Sequence, residues 1–515
     1  MPQPSSHPSF TAYNAAQDLL SRNLSAERRD RIAFIDDVAG PCSYADLEAR
    51  VNRVANALVD LGLQREDRLA LCLLDTVEWP IVFLAAVKAG IVPVAINTML
   101  TPADYDYLLR DSRAKTLVVA GSVLPQFAPI LAGQPHLRDV ITVGGDGAYP
   151  DLDALAAGKS ASFTPAQTTA DEPGFWQYSS GTSGLPKGVV HVHGALLPTA
   201  DLFAGQVLGL RGDDVLYSAA RLFFGYGMGN ALTFPMAFGA SAVLCPERPT
   251  PQSVARVLTE HKPTVFFGVP TLFASLLASE HLPAREDVAL RLCVSAGETL
   301  PAEIGRRWTE HFGVEIVEGI GSTEMLHIFL SNRPGAVRYG VTGRPIPGFE
   351  VKLLDEAGQP VARGEMGELH VKGPTSAAGY WDKRDKTRET FLGAWTRCAD
   401  KFVETEDGDF IFCGRSDDML KVGGIYVSPA EVEAAIMTHA AVIEAAVVGR
   451  ADPAGLIKPE AFVVVRDGVS EAIAADIQAH VKSRLAPYKY PRWVNVVEEL
   501  PKTPTGKLKR YMLRG

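Results

Sequence analysis

The chain has 515 residues, more than one ordinary hydrophobic core accommodates, so two or three cores are expected. Hydrophobic residues supply 47% and charged residues 21%, the balance of a soluble globular protein. The formal charge of −10 argues against a nucleic-acid partner, because phosphate backbones are bound by basic surfaces.

The opening segment "MPQPSSHPSF" has neither a basic n-region nor an apolar h-region, so no secretory signal is read. In "SYADLEARVNRVANALVDLG", Leu47, Val51, Val54, Leu58 and Leu61 share one helix face, with Ser43 suited to cap its start and Gly62 its end. The greasiest run, Trp79 to Ile96, carries Lys88 and Pro93 and is too short and interrupted to span a bilayer, so no membrane partner is expected. Six scattered cysteines without a CxxC pair suit buried thiols in a reducing compartment, and a cytoplasmic protein is expected.

Short β-rich runs recur along the first two-thirds of the chain: "RLALCLL", "KTLVVAG", "VITVGG", "DVLYSAA", "SAVLC", "TVFFGVP", "LRLCVSAG" and "VEIVEGIG". Helix-like segments such as "TPQSVARVLTEHK" lie between several of them, which predicts α/β layers with largely parallel sheets. After about residue 345, "FEVKLLDEAGQPVARGEMGELHVKG" reads as two antiparallel strands joined through Gly and Pro turns. In the last hundred residues, "VSPAEVEAAIMTH" predicts a helix with Ser428 as N-cap, Pro429 at its first position and Glu431 closing a capping box. Strand-like "AAVVG" and "AFVVV" and helix-like "AADIQAHVKSRLA" complete a small α+β domain. The polar stretch 413–424 is the expected boundary, giving domains 1–416 and 417–515.

The stretch "YSSGTSGLPKGVVHVHG", Tyr178 to Gly194, gathers hydroxyls and glycines around one lysine, which suits a backbone wrapped round phosphate. A Walker A loop requires G-x-x-x-x-G-K-[ST]. Here Pro186 precedes Lys187 and Gly188 follows it, which argues against that class, and a G-x-G-x-x-G fingerprint is absent. His191 and His193 have no neighbouring residues to complete a metal site and are read as structural.

Four further motifs follow in order: "GIGSTE" at 319–324, "TRCADKF" at 396–402, "GRSDDMLKVGG" at 414–424 and "PKTPTGKLKR" at 501–510. With the loop, these make the chain resemble the acyl-adenylate-forming superfamily of acyl- and aryl-CoA ligases, firefly-type luciferases and nonribosomal adenylation domains. The resemblance implies an α/β fold. Its large N-terminal domain has mixed and parallel sheets flanked by helices plus a β subdomain, and a small mobile α+β C-terminal domain follows. It also implies ATP and CoA as cosubstrates and Mg²⁺ as the metal.

The implied nucleotide residues are matched one by one. Ser179, Ser180, Gly181, Thr182, Ser183, Gly184 and Lys187 are implied to hold the departing phosphates, and Gly297, Glu298, Gly319, Ile320, Gly321 and Ser322 to line the nucleotide. Thr323 resembles the α-phosphate contact and Glu324 the Mg²⁺ ligand, a hard oxygen donor suited to that ion. Asp400 resembles the ribose carboxylate and Arg415 a second ribose or phosphate contact. Lys507 resembles the catalytic lysine, whose ammonium would bridge the incoming carboxylate and the α-phosphate. Asp417 matches the hinge, and Gly423 and Gly424 match the lining of the thiol tunnel.

Two departures from the family pattern stand out: Ile320 replaces a frequent aromatic, and Ala399 precedes Asp400 where glycine is usual. The stretches 221–244 and 319–332 look very like those of benzoate–CoA ligases, which implies an aromatic carboxylic acid as substrate. Phe224, Gly225, Tyr226, Gly227, Ile320 and His327 are the implied pocket residues. Gly225 replaces a common alanine, and the missing methyl is expected to leave room for a ring substituent. The rival readings are a ligase for hydroxybenzoate, aminobenzoate or furoate, an aryl-acid adenylating enzyme that loads a carrier protein, and a non-catalytic nucleotide sensor. A homodimer and a protein acetyltransferase acting on Lys507 complete the partners this reading admits.

Overall fold

The structure is a computed structural model that describes residues 11–179, 185–415, 418–422, 425–453, 456–466, 472–502 and 508–514. The predicted helix spans Tyr44–Asp60, capped by the Ser43 side chain accepting the Asp46 N–H, and Gly62 follows in the left-handed region at φ +85°. Its Leu47, Val51, Val54 and Leu58 are buried, each stabilising the fold by about 1.5–3 kcal/mol relative to exposure.

Two large sheets dominate the N-terminal part. The first runs in spatial order Arg344–Pro345, Ile328–Ser331, Ile316–Gly321, Leu292–Ser295, Val265–Gly268, Val215–Ser218, Ser241–Leu244, Ile32–Asp36 and Gly40–Ser43. Its centre is parallel and its outer hairpins are antiparallel. The second runs Gly379–Tyr380, Lys187–Val192, Pro173–Ser179, Val92–Ala95, Arg68–Cys72, Thr116–Ala120 and Asp139–Val143, with five parallel strands and an antiparallel edge. All eight strands predicted from the β-rich runs are present within these sheets.

Strands Glu350–Leu354, Met366–Lys372, Phe391–Leu392, Trp395–Glu404 and Phe410–Arg415 form a separate antiparallel sheet, as the change of texture after residue 345 predicts. Beyond it, Val442–Ala451, Ile457–Val465 and Trp493–Val496 form a small sheet. Helices Pro429–Met437 and Ile473–Lys482 share with it a core of its own that includes Val432, Ile436, Val447, Val463, Ile477 and Val481. Ser428 caps the first of these helices through the Glu431 N–H. The reciprocal half of the expected capping box is replaced, because the Glu431 carboxylate binds Lys489 Nζ at 2.5 and 2.7 Å. A tertiary ion pair has outcompeted a local bond.

The six cysteines are unpaired, five of them buried and Cys413 half-buried. No helix of the described residues is long and apolar enough to cross a membrane. Ser179 ends its strand, and residues 297–298 and 322–324 follow theirs, so all lie at the C-terminal ends of strands in the two large sheets, the edge where α/β folds place ligands.

Candidate nucleotide and acid site

Two strands bracket the glycine-rich loop. Pro173–Ser179 and Lys187–Val192 pair antiparallel, with Ser179 opposite Lys187. Ser180, Gly181, Thr182, Ser183 and Gly184 lie outside the described residues, and the flanks show how the loop is anchored. The Tyr178 hydroxyl donates to Asp111 Oδ2 at 2.7 Å, and the Tyr107 hydroxyl donates to the Pro186 carbonyl at 2.8 Å. Trp381 Nε1 donates to the Asp111 carbonyl at 2.9 Å, and Lys383 Nζ approaches Asp111 Oδ1 at 3.4 Å. Ser179 Oγ is buried and has no partner among the described residues.

The second bracketing strand also holds the Ser-Thr-Glu motif. His191 Nε2 donates to the Thr323 carbonyl at 2.8 Å, and its ring stacks on Phe175 at 5.1 Å. Burial pushes the His191 pKa down to about 4, so the ring is neutral. His193 accepts the Ala15 N–H through Nδ1 at 3.3 Å. Both histidines thus hold the fold together, as their setting in the sequence suggests. Lys187 Nζ lies 4.7 Å from the Tyr380 ring centroid, and burial lowers its pKa against the opposing pull of Glu324. The Tyr380 hydroxyl in turn donates to Glu324 Oε1 at 2.8 Å. Among the described residues no group of three or more His, Cys, Asp or Glu side chains gathers to form a metal cage. A single oriented carboxylate fits Mg²⁺, which takes one or two carboxylates together with phosphate oxygens.

Ser322 caps the short turn Thr323–Met325 by accepting the Met325 N–H. Leu326 then adopts φ +68° and ψ −50°, and the His327 N–H donates back to the Met325 carbonyl at 2.8 Å. That is a positive-φ γ-turn, a strained conformation for leucine. Gly319 and Gly321 lie on the strand before this turn, where the hairpin it joins closes on itself: a Cβ would sit 2.8 Å from Ile328 at the first and 2.5 Å from the His327 carbonyl at the second. Ile320, between them, pairs with Leu330.

Asp400 and Arg415 face each other on paired strands, with Nη1 of Arg415 3.4 Å from Oδ1 of the buried Asp400. Ala399 stands at φ +57°, which explains why glycine is the ordinary occupant there. Gly297 has φ +94°, and the neighbouring Glu298 accepts the Leu508 N–H at 3.1 Å. Lys507, Asp417, Gly423 and Gly424 lie outside the described residues. Glu318, at 3% exposure, accepts the Leu300 N–H at 3.0 Å, and burial pushes its pKa up to about 8.

On the acid side, the Tyr226 hydroxyl lies 3.1 Å from the Val294 carbonyl and 3.3 Å from that of Gly268. His327 Nε2 donates to Asn230 Oδ1 at 3.2 Å and to the Tyr226 carbonyl at 3.3 Å. Burial pushes the His327 pKa down to about 3, leaving Nδ1 a bare acceptor without a partner among the described residues. Phe224 is half-buried and packs against Phe223, which belongs to the core. Gly227 is required, since a Cβ there would meet the Arg221 carbonyl at 2.0 Å.

The room expected beside Gly225 is not there. A methyl on this residue would sit 2.3 Å from the Leu326 carbonyl and 3.0 Å from Gln177 Oε1, so backbone and a side-chain amide fill that space. Gln177, Asp111, Tyr107 and Tyr380 were not singled out by the motifs. The i,i+4 spacing of Tyr107 and Asp111 on helix Pro102–Ser112 is a signal of one polar face. Gln177 shows only as the lone amide in "GFWQY".

Two family models match the chain: "AMP-binding enzyme" over residues 21–381 and "AMP-binding enzyme C-terminal domain" over residues 431–507. The chain is 53% identical to a benzoate–CoA ligase of Thauera aromatica, covering 98% of this chain and 96% of the relative. It is 50% identical to a 4-hydroxybenzoate–CoA/benzoate–CoA ligase of Rhodopseudomonas palustris, covering 98% and 94%. The crystal structure of a benzoate CoA ligase from Burkholderia xenovorans superposes with a TM-score of 0.92 at 49% identity, covering 98% of this chain and 100% of the other. That of an anthranilate CoA ligase in complex with anthranoyl-AMP gives 0.94 at 40% identity, covering 99% and 98%. With the motif residues placed at the strand ends and both family models matched in order, the chain belongs to the AMP-binding enzymes, the family that forms acyl adenylates.

Proposed function

We propose that the chain is an AMP-forming benzoate–CoA ligase. It converts ATP, benzoate or a ring-substituted benzoate, and CoA to AMP, diphosphate and the aryl-CoA through an acyl adenylate. The observation that carries this reading is the physical joining of its motifs. The strand that leaves the glycine-rich loop holds Thr323 through His191, and Lys187 packs on the tyrosine that holds Glu324. One rigid unit therefore supports both the loop assigned to the departing phosphates and the residues assigned to the α-phosphate and Mg²⁺.

In this reading Lys187 and the loop hydroxyls assist diphosphate release, Thr323 contacts the α-phosphate, and Glu324 would hold Mg²⁺, which supplies charge neutralisation when bound. Asp400 and Arg415 position the ribose. Lys507 bridges the carboxylate and the α-phosphate during adenylation. The small domain, 417–515, then turns about Asp417 so that Gly423 and Gly424 line the thiol path. Phe224, Tyr226, Ile320 and His327 surround the ring. We place the protein in the cytoplasm, with a homodimer as its assembly, and Lys507 as a residue whose acetylation would abolish adenylation by removing the bridging charge.

The test is release of AMP with benzoate, hydroxybenzoates, aminobenzoates, furoate and aliphatic acids, each with and without free CoA. Rapid turnover with benzoates and CoA is the expected result. Adenylate formation without thioester on free CoA would instead make this a carrier-loading enzyme, and no acid-dependent ATP–diphosphate exchange would make it a sensor.

A further inference from the structure

The side chain of Gln177 is 2% exposed, and neither Oε1 nor Nε2 has a hydrogen-bond partner among the described residues. A buried primary amide left unpaired at both ends forfeits the hydrogen bonds it made to water, so it ordinarily has a partner to meet. Its strand alternates faces: Trp176 and Tyr178 turn toward Trp381 and Asp111, while Phe175, Gln177 and Ser179 share the opposite face. On that face Phe175 stacks on His191, the residue holding Thr323. Gln177 lies between that pair and Ser179.

What the amide points to is fixed by Gly225. Its Oε1 lies 3.0 Å from the position a Gly225 Cβ would take, and the Leu326 carbonyl lies 2.3 Å from the same point. Gly225, Leu326 and His327 together line one narrow gap with Met228 and Gly229. Beside the residues implied to form the acid pocket there is thus an amide whose donor and acceptor are both unpaired among the described residues, and the bare Nδ1 of His327 lies on a second element. Phe224 and the Tyr226 ring make the rest apolar.

Resting on the ligase reading above, we propose that Gln177 is a specificity-determining residue that selects benzoates bearing a ring hydroxyl or amino group. A hydroxyl donates to Oε1 and accepts from Nε2; an amino group donates to Oε1. An unsubstituted ring or a halogen leaves the amide unpaired. Discrimination by a buried hydrogen-bonding group exceeds what a change of pocket volume achieves, which is of order 10–200-fold for a methylene.

The experiment compares kcat/KM for benzoate with those for the three hydroxybenzoates and three aminobenzoates, in the wild type and in Gln177→Leu, with Gln177→Met as a second apolar variant should leucine fold poorly. At least one substituted acid is expected to exceed benzoate in the wild type, and the substituted-to-benzoate ratio is expected to fall about tenfold or more in the variants. A uniform loss across all acids, or an unchanged ratio, would overturn the proposal while leaving the ligase reading intact. Absence of turnover with every aromatic acid in the wild type would overturn the ligase reading, and the proposal with it.

Discussion

The backbone N–H of Leu508 donates to the carboxylate of Glu298 at 3.1 Å, joining two segments 210 residues apart. This bond brings the residue that follows Lys507 in the chain against the turn after strand Leu292–Ser295. Nearby, Arg510 binds Glu433 at 2.7 Å, and the Asp418 carboxylate lies 4.0 Å from the same guanidinium. The end of the chain is therefore docked on both domains at once.

Under the proposed function, loss of the Glu298 contact is expected to fall on adenylation. Glu298→Ala is expected to lower the rate of adenylate formation severalfold. Lys507→Ala should lower it about 10²-fold or more, as removal of a transition-state donor does. Thioester formation from supplied acyl adenylate should change far less in both variants. Rapid-quench measurement of the two half-reactions separates these outcomes; equal losses in both halves would remove Lys507 from the chemical role assigned to it.

The Tyr178–Asp111 bond anchors one end of the glycine-rich loop, and Tyr107 anchors the other. Tyr178→Phe removes a hydrogen bond to a carboxylate, a contact of about 1.5–3 kcal/mol. We expect a lower thermal midpoint and a severalfold higher KM for ATP, with KM for the acid unchanged. A shift in the acid KM alone would mean that the anchor serves the acid pocket.

Glu318 makes stability depend on pH in a defined direction. Its folded pKa of about 8 lies above the ordinary 4.5, so between these values the folded chain keeps a proton that the unfolded chain has lost. The stabilisation is complete below about pH 4.5, declines as pH rises toward 8, and stays lost above it. Glu318→Gln retains an acceptor for the Leu300 N–H and should flatten this decline. Urea midpoints at pH 5, 6.5 and 8 test it; parallel wild-type and variant profiles would show that Glu318 titrates normally.

Ala399, at φ +57°, carries strain beside the buried Asp400. Ala399→Gly should relieve about 1–2 kcal/mol of left-handed strain, offset in part by about 0.4–1 kcal/mol of unfolded-state entropy. A raised thermal midpoint with unchanged ATP kinetics is expected. A lowered midpoint would place the strain elsewhere.

The sequence made the layers legible because each buried strand is a short, nearly uniform apolar run bounded by turn residues, and the capped helices carry their own start signals. It also led to the Ser-Thr-Glu turn and to His327. What it left dark depends on contacts distant in the chain. The occupant of the space beside Gly225 is a carbonyl 101 residues later, which no local pattern encodes. Glu431 followed a local capping pattern until Lys489 supplied a stronger partner. The π-helical turns Ala200–Gly205 and Gly229–Thr233 leave no periodicity that a 3.6-residue template detects. Gln177 was hidden because a polar residue in an alternating strand reads as solvent-facing.

The strained turn at Leu326 separates Glu324 from His327 by only three residues. The proposed function assigns those two residues to opposite halves of the reaction, one to the metal and phosphates, the other to the ring. A substrate that pushes on His327 therefore acts on a backbone with one high-energy joint, and relaxation of that joint moves the carboxylate as well. Retuning the pocket at Leu326 or His327 would accordingly disturb ATP use as well as the choice of acid.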